Sequence, residues 1–494
     1  MANALQPFSS GHGQDQRLIC HEPIPGVHVS HRIRRRSVLG CAALAAALTA
    51  PVGLASPASA ATAAPVIDFN GDGFADLAIS APNATVSGVA DAGYLSVVYG
   101  SAAGADTAHP QLITRASEGV PGDVTESDYF GSWTAARDLD GDGYSDLVVG
   151  GYHTPVIFWG SADGLKEGVA LAGRTDQVGA GDINGDGHAD LVAIGEGGLQ
   201  VRFGPFTRDG MPASVQTLPY DERQGTQGFT VGDVTGDGKD DVVTQHGFEE
   251  RQYMSRLWKG TSAGLSTTYT SSGYYTVGGV IADVDQDGYG DFVARQVGSV
   301  SETMNYDAGD VRVVYGSAAG FSTRTVKINQ DTAGVPGVGE TGGDDHDGDQ
   351  FGYALAAGDV TGDGYPDIAV GVPGEGIGSA REAGAVVLLK GGASGLTGTG
   401  AQAVNQSTSG VPGVSETGDN FGRTVLLADV NNNHRADLVA GAPLEDGTQA
   451  TDSGAVWVLR GSKTGLTTTH IASFSPGSLK APEAGARFGA VLAD

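Results

Sequence analysis

Seven times along this chain one nine-residue pattern returns: DFNGDGFAD from Asp68, DLDGDGYSD from Asp138, DINGDGHAD from Asp182, DVTGDGKDD from Asp233, DVDQDGYGD from Asp283, DVTGDGYPD from Asp359 and a degraded DVNNNHRAD from Asp429. The start-to-start interval runs from 44 residues (138 to 182) to 76 residues (283 to 359). Self-similarity on this scale means one supersecondary unit used repeatedly. Asp at positions 1, 3 and 5 with glycine at position 6 is also how an EF-hand calcium loop begins.

An EF-hand needs a flanking helix and a carboxylate at position 12. Position 12 here holds Ile79, Val149, Ala193, Thr244, Ala294 and Val370, none of them a ligand. After each ninth-position Asp comes a short apolar run, as in DLAIS, DLVVG, DLVAI, DIAVG and DLVAG. Their length, β-branched content and bounding turn residues predict buried strands. Each unit adds a second run ending in glycine, at 93–101, 154–161, 199–204, 255–262, 309–317, 384–392 and 454–462. In GDVRVVYG polar and apolar positions alternate, as in a half-buried strand. No segment beyond the first sixty residues sustains a helical period. The expectation is an all-β fold, a seven-bladed β-propeller with four-stranded antiparallel blades.

The chain has 494 residues, 80 of them Gly, 17% charged residues and a net charge of -30. No basic stripe is present to neutralise phosphates, so nucleic acid is not an expected partner. The segment HRIRRRSVLGCAALAAALTAPVGLASPASAAT has a basic start at Arg34 to Arg36, an apolar run from Val38 to Leu54 and an A-x-A-like exit at Ala58, Ser59 and Ala60. It reads as a secretory signal, too short for a membrane span. Arg35 and Arg36 before Ser37, Val38 and Leu39 resemble a twin-arginine export signal, with the general route as the alternative. Residues 1–33 read as a long leader or a misplaced start. Residues 1–60 are therefore expected to be leader and signal, and 61–494 the propeller, secreted and monomeric. Cleavage after Ala60 removes Cys20 and Cys41, leaving neither disulfides nor thiolate sites. It also removes five Arg and two acids, moving the charge from -30 to -33.

Phe-Gly stands eight residues before the first Asp in FGSWTAARD (from Phe130), FGYALAAGD (from Phe351) and FGRTVLLAD (from Phe421). Downstream stand SAP (80–82), GVP (371–373) and GAP (441–443). Together these resemble the FG-GAP repeat of the integrin alpha-chain propeller and of related bacterial secreted proteins, across essentially all of residues 66–494. The motifs are full around the loops at 138, 359 and 429, and weaker at 182, 233 and 283, where Phe-Gly is missing. The chain ends in RFGAVLAD, whose Phe488 to Asp494 aligns with Phe351 to Ala357. That alignment implies a ring closed by the C-terminal strand, which supplies what the unit at Asp68 lacks and protects strand edges.

The resemblance further implies Ca2+ held by the side chains at positions 1, 3, 5 and 9 and the backbone carbonyl at position 7. In sequence order the sites are Asp68, Asn70, Asp72, Phe74 and Asp76; Asp138, Asp140, Asp142, Tyr144 and Asp146; and Asp182, Asn184, Asp186, His188 and Asp190. They continue with Asp233, Thr235, Asp237, Lys239 and Asp241; Asp283, Asp285, Asp287, Tyr289 and Asp291; and Asp359, Thr361, Asp363, Tyr365 and Asp367. The last loop retains Asp429, Asn431, Asn433 and Asp437 but has His434 in place of the glycine, so its binding stays open. Oxygen-only donors suit a hard cation. Asp, Asn and Gly also make good turns, but turn chemistry does not require four carboxylates recurring in register. Several structural Ca2+ ions are the expected consequence.

No G-x-S-x-G, H-E-x-x-H or P-loop motif is present, and no catalytic residue is assigned. GDDHDGDQ (343–350) offers Asp344, Asp345, Asp347 and Asp349 as a further cation site, with a solvated acidic loop as the favoured reading. Trp159, Trp258 and Trp457 fall in strand patterns and read as core. The functional expectation is a non-enzymatic extracellular binding or adhesion module for a protein or glycan ligand. A lectin of the same architecture and an extracellular hydrolase or lyase are the alternatives.

Overall fold

The computed structural model describes residues 67–493 except 174, 196, 220–224, 301–303, 344–345 and 448–449. The predicted leader and signal lie outside the described residues. Every regular element among the described residues is a β-strand. In chain order these are β1 (Leu77–Ala81), β2 (Tyr94–Tyr99) and β3 (Asp106–Ile113), then β4 (Trp133–Arg137), β5 (Asp146–Gly150), β6 (Val156–Phe158) and β7 (Gly168–Ala170). Next come β8 (Thr175–Gly181), β9 (Asp190–Gly195), β10 (Gly198–Phe203) and β11 (Ser214–Leu218). A run of seven follows: β12 (Thr226–Gly232), β13 (Asp241–Phe248), β14 (Arg251–Thr261), β15 (Gly264–Ala282), β16 (Asp291–Gln296), β17 (Asp310–Val314) and β18 (Thr325–Ile328). The chain finishes with β19 (Leu355–Gly358), β20 (Asp367–Val372), β21 (Ala385–Lys390), β22 (Thr397–Val404), β23 (Thr424–Ala428), β24 (Asp437–Ala442), β25 (Ala455–Ser462), β26 (Gly465–Phe474) and β27 (Val491–Leu492).

These strands form five four-stranded sheets, β27-β1-β2-β3, β4 to β7, β8 to β11, β19 to β22 and β23 to β26, and one seven-stranded sheet, β12 to β18. Neighbours pair antiparallel throughout. The seven-stranded sheet exists because β15 is 19 residues long. Its first half pairs with β14 and its second half with β16, so one strand serves two four-stranded units. The C-terminal strand pairs with β1, Ile79 opposite Leu492 and Ser80 opposite Val491.

The apolar runs behave as their composition dictates. β5, β20 and β24 are buried at every residue, which is why they read as continuous rather than alternating hydrophobics. The last strand of a unit, such as β3 or β11, mixes polar with apolar residues and is buried only at its final position. Buried side chains pool between neighbouring sheets. Leu147 and Phe158 meet Ala78 and Val97, Val148 and Ile157 meet Leu191, and Val192 and Val201 meet Val242. Val243 and Leu257 meet Phe292, Val293 and Val313 meet Val370, and Ala369 and Val386 meet Leu438. Val439 and Val456 meet Leu77 and Ile79 of the first sheet. Trp159 and Trp457 are core, and Trp258 is half-buried beside Val242.

Candidate cation-binding loops

Six of the nonapeptides are the turn between the first and second strands of their unit and the one from Asp68 leads into β1; in each, the acids organise the backbone. In the loop from Asp138, the Asp138 carboxylate accepts Gly141 N–H at 2.8 Å, Asp142 N–H at 3.1 Å and Gly143 N–H at 2.8 Å. Position 1 does the same in the loops from Asp68, Asp182 and Asp359. Asp233, Asp283 and Asp429 accept from positions 5 and 6. Position 5 then accepts the N–H of position 7: Phe74 on Asp72, Tyr144 on Asp142, His188 on Asp186, Lys239 on Asp237, Tyr289 on Asp287 and Tyr365 on Asp363. Asn432 and His434 adopt φ of 51° and 64° where the loop from Asp138 has glycines at 78° and 93°. The degraded loop therefore keeps the same backbone path, held by Asp429, with Asn and His, the residue types that best tolerate left-handed backbone after glycine.

Position 9 is a different object. Asp76, Asp146, Asp190, Asp241, Asp291, Asp367 and Asp437 are almost wholly buried. In all seven, Oδ1 accepts the N–H of the glycine that ends the second run, Gly100, Gly160, Gly204, Gly260, Gly316, Gly391 or Gly461, at 2.8 to 3.1 Å. Oδ2 accepts the N–H of position 2 in the first six loops, and Asn431 Nδ2 at 2.6 Å in the last. Burial pushes these carboxyls up, to about 8 for Asp291, about 7 for Asp76, Asp146 and Asp241, and about 6 for Asp190, Asp367 and Asp437. The N–H donors oppose that rise. Asp241 Oδ2 and Asp367 Oδ2 also accept the N–H of Thr235 and Thr361, but every Oδ1 keeps a second lone pair, so a staple to the backbone is compatible with a cation ligand.

Two acidic groups bring one oxygen from each member to within 4.8 Å of the others: Asp138, Asp140 and Asp146, and Asp283, Asp285 and Asp287. Guanidinium groups reach both. Arg208 contacts Asp140 and Asp142 at 2.5 Å each, and Arg324 pairs with Asp285. Sequence reading missed both arginines, because nothing local marks a residue 66 positions from its partner. Lys239 pairs with Asp237 in its own loop. Asn70 and Asn184 turn their amides to Asp72 and Asp186. Three buried oxygens in these loops have no hydrogen-bond partner: Asp285 Oδ1, Thr361 Oγ1 and Asn433 Oδ1. Crowded carboxylates, oxygen-only donors and unsatisfied buried oxygens fit a hard divalent cation. In GDDHDGDQ, Asp344 and Asp345 lie outside the described residues, whereas Asp349 is buried, so the segment is not simply a solvated acidic loop.

The loops also hydrogen-bond to one another. Position 8 donates to the position 1 carbonyl of the neighbouring loop: Ser145 to Asp68, Asp240 to Asp182, Gly290 to Asp233, Ala436 to Asp359, and Ala75 to Asp429. At the other end of the first strand, Phe130, Phe351, Phe421 and Phe488 are fully buried. A repeat model described as FG-GAP repeat matches residues 60–98, 351–389 and 421–459, and one described as FG-GAP-like repeat matches 138–193 and 182–244. The chain carries FG-GAP repeats. The unit at 138 matches the FG-GAP-like model, and Gly151 and Tyr152 stand there where other FG-GAP units have the Ala-Pro or Val-Pro pair.

The chain is 32% identical over 183 residues to the phosphatidylinositol-glycan-specific phospholipase D of Bos taurus, covering 37% of this chain and 20% of that one. It is 35% identical over 96 residues to integrin alpha-5 of Xenopus laevis, covering 19% and 8%. This chain thus spans about a fifth of the phospholipase D relatives it matches. Among solved structures, an Agrocybe aegerita lectin described as recognising non-reducing terminal N-acetylglucosamine aligns at a TM-score of 0.47 with 15% identity, over 86% of this chain and 96% of that one. Among the described residues no helix is long and apolar enough to cross a membrane.

Proposed function

We propose that the chain is a calcium-stiffened, seven-bladed propeller, closed by its C-terminal strand, that serves outside the cell as a non-enzymatic binding or adhesion module. The observation that carries this reading is the recurrence of one oxygen-lined loop in every unit, with buried oxygens left unsatisfied in three of them. Dividing β15 between two units supports seven four-stranded blades. Packing of Val439 and Val456 on Leu77, the Ala75 to Asp429 hydrogen bond and the β27 to β1 pairing support closure. The residues that would hold the ions are those at positions 1, 3, 5 and 9, with Asp138, Asp140 and Asp146 and Asp283, Asp285 and Asp287 as the most convergent sets. A bound Ca2+ supplies positive charge that cross-links the side chains of one loop.

A site filled at a hundred times its Kd adds about 2.7 kcal/mol when the ion ignores the unfolded chain, so several sites account for a large share of the stability. Binding outside the cell rests on the predicted signal segment and on the long connections before Phe-Gly, since ligand residues concentrate on loops carried by a rigid scaffold. The test is a pair of melts in Ca2+ and in chelator, followed by calcium-dependent binding to panels of matrix proteins and glycans. A chelator-insensitive melt removes the calcium part. Turnover of phosphoesters or polysaccharides would replace the binding role with an enzymatic one.

A further inference from the structure

Three of the connections that lead into Phe-Gly are built on one frame. The turns TRASEGVPG (114–122), NQDTAGVPG (329–337) and NQSTSGVPG (405–413) share a closing bond: Ser117 N–H donates to Thr114 O at 3.1 Å, Thr332 N–H to Asn329 O at 3.0 Å and Thr408 N–H to Asn405 O at 3.0 Å. Two residues before each Phe-Gly stands a buried aspartate, Asp128, Asp349 or Asp419. The second residue of each turn is buried, and here the three diverge. In the first turn it is Arg115, whose guanidinium donates to Asp128 at 2.9 Å and to the carbonyls of Pro121 and Thr154 at 2.8 Å each. The buried acid is neutralised by a buried cation that belongs to the chain.

In the other two turns the equivalent residues are Gln330 and Gln406, which carry no charge. A second acid enters instead. Gly150, Gly371 and Gly441 accept the N–H of the glycine of Phe-Gly in the three units. Four residues beyond them stand Thr154, Glu375 and Glu445. Where the first unit has one acid and one guanidinium, the others have two acids and an amide. The Gln330 amide donates to Glu375 and the Gln406 amide to Glu445, the latter at 2.7 Å. Gln330 and Gln406 are 3% and 1% exposed, and the Oε1 of each has no hydrogen-bond partner. Asp349 and Asp419 are held in place by the N–H of Glu340 and Glu416. Gathering a buried aspartate, a half-buried glutamate and an unsatisfied buried amide oxygen is costly unless a cation joins them.

We propose that Gln330, Asp349 and Glu375, and likewise Gln406, Asp419 and Glu445, form two additional divalent-cation sites, which the guanidinium of Arg115 replaces in the third copy of the frame. Carboxylate and amide oxygens suit Ca2+ rather than a softer metal. Burial, with the neighbouring acids, raises Asp349 and Glu445 to about 7, the direction expected of ligands that a cation would stabilise. These sites lie at the opposite ends of the strands from the nine-residue loops, because Phe-Gly precedes β19 and β23 whereas those loops follow them. Ions here would fasten the long connections at 329–350 and 405–420, which the loop ions cannot reach.

The internal control dictates the experiment. Equilibrium dialysis against Ca2+ counts ions on the full chain and on the double variant Gln330→Arg, Gln406→Arg, which installs the first unit's arrangement twice. The variant is expected to bind two ions fewer and to melt no lower than the parent in chelator, with the ions of the nine-residue loops retained. Should the arginines prevent folding, Glu375→Gln with Glu445→Gln removes the charge at constant shape and is expected to lose the same two ions. Tb3+ luminescence gives an independent reading. Trp457 donates to Pro412 O at 2.8 Å, against the second turn, so its sensitised emission is expected to fall at least tenfold in Glu445→Gln. Equal ion counts in parent and folded variants, or unchanged Trp457-sensitised emission, would overturn the proposal.

Discussion

Gly160 ends the second run of its unit with a backbone conformation open to any residue, so its identity is set by space alone. A Cβ built there lies 2.3 Å from the Ser145 carbonyl, 2.7 Å from Tyr144 Cβ and 3.1 Å from the Phe69 carbonyl. Two of these obstacles are backbone and cannot swing aside. Gly160→Ala therefore forces the strand away from the loop, and overpacking of this kind costs about 1–3 kcal/mol. The displacement also weakens Gly160 N–H to Asp146 at 2.8 Å, leaving a buried donor short of its acceptor at about 1–3 kcal/mol. Lower entropy of the unfolded alanine chain offsets about 0.4–1 kcal/mol. The net expectation is a loss of about 1–6 kcal/mol. Chemical denaturation in calcium measures it, and hydrogen exchange at Gly160 and Ser161 locates it. Gly143, in the same unit, is the control: its φ is +93° and nothing lies within 4 Å of its Cβ. Asparagine tolerates such backbone, so Gly143→Asn should cost less than Gly143→Ala, whereas Gly160→Asn should cost more than Gly160→Ala. A Gly160→Ala protein within about 0.5 kcal/mol of the parent, below the overpacking range, would refute the steric account.

Three other outcomes are expected. Arg208→Ala frees Asp140 and Asp142 from two half-exposed ion pairs; at about 0.2–1 kcal/mol per pair, the loop should bind Tb3+ or Ca2+ several-fold more tightly in titrations, and weaker binding would assign the guanidinium a supporting role. In chelator, stability should fall as pH rises from about 4 to about 8, because the position 9 carboxyls keep protons in the folded chain that the unfolded chain has already released; melts at pH 5 and pH 8 check the sign, and a higher melting point at pH 8 contradicts it. Deleting 489–494 removes the partner of β1, so increased light scattering and faster exchange at Ile79 are expected, and an unchanged protein would make β27 dispensable.

The strands were legible because their signal is local. Apolar runs after each ninth-position Asp became β5, β20 and β24. The pairing of β27 with β1 was legible too, since RFGAVLAD repeats the sequence of other first strands. The fusion of two units through β15 was not, because the Ser-Gly and Gly-Gly turn signals at 272–273 and 278–279 are taken up as irregularities within a continuing strand. Spacing exposed the acids of the nine-residue loops but not the division of labour among them. Position 9 is marked as a staple only by a glycine 14 to 25 residues downstream. The acids before Phe-Gly stayed hidden because their meaning depends on whether arginine or glutamine sits in a turn 13 to 19 residues earlier.

Pairing of Ile79 with Leu492 also has a consequence in time. β1 waits for a strand more than four hundred residues further along the chain. Translation at about 5–20 residues per second takes about 20–80 s to cover that interval. Throughout it the open edge of β1 faces solvent beside a finished hairpin, a template for any stray strand. A chaperone holding that edge during synthesis would be released by the arrival of Val491 and Leu492.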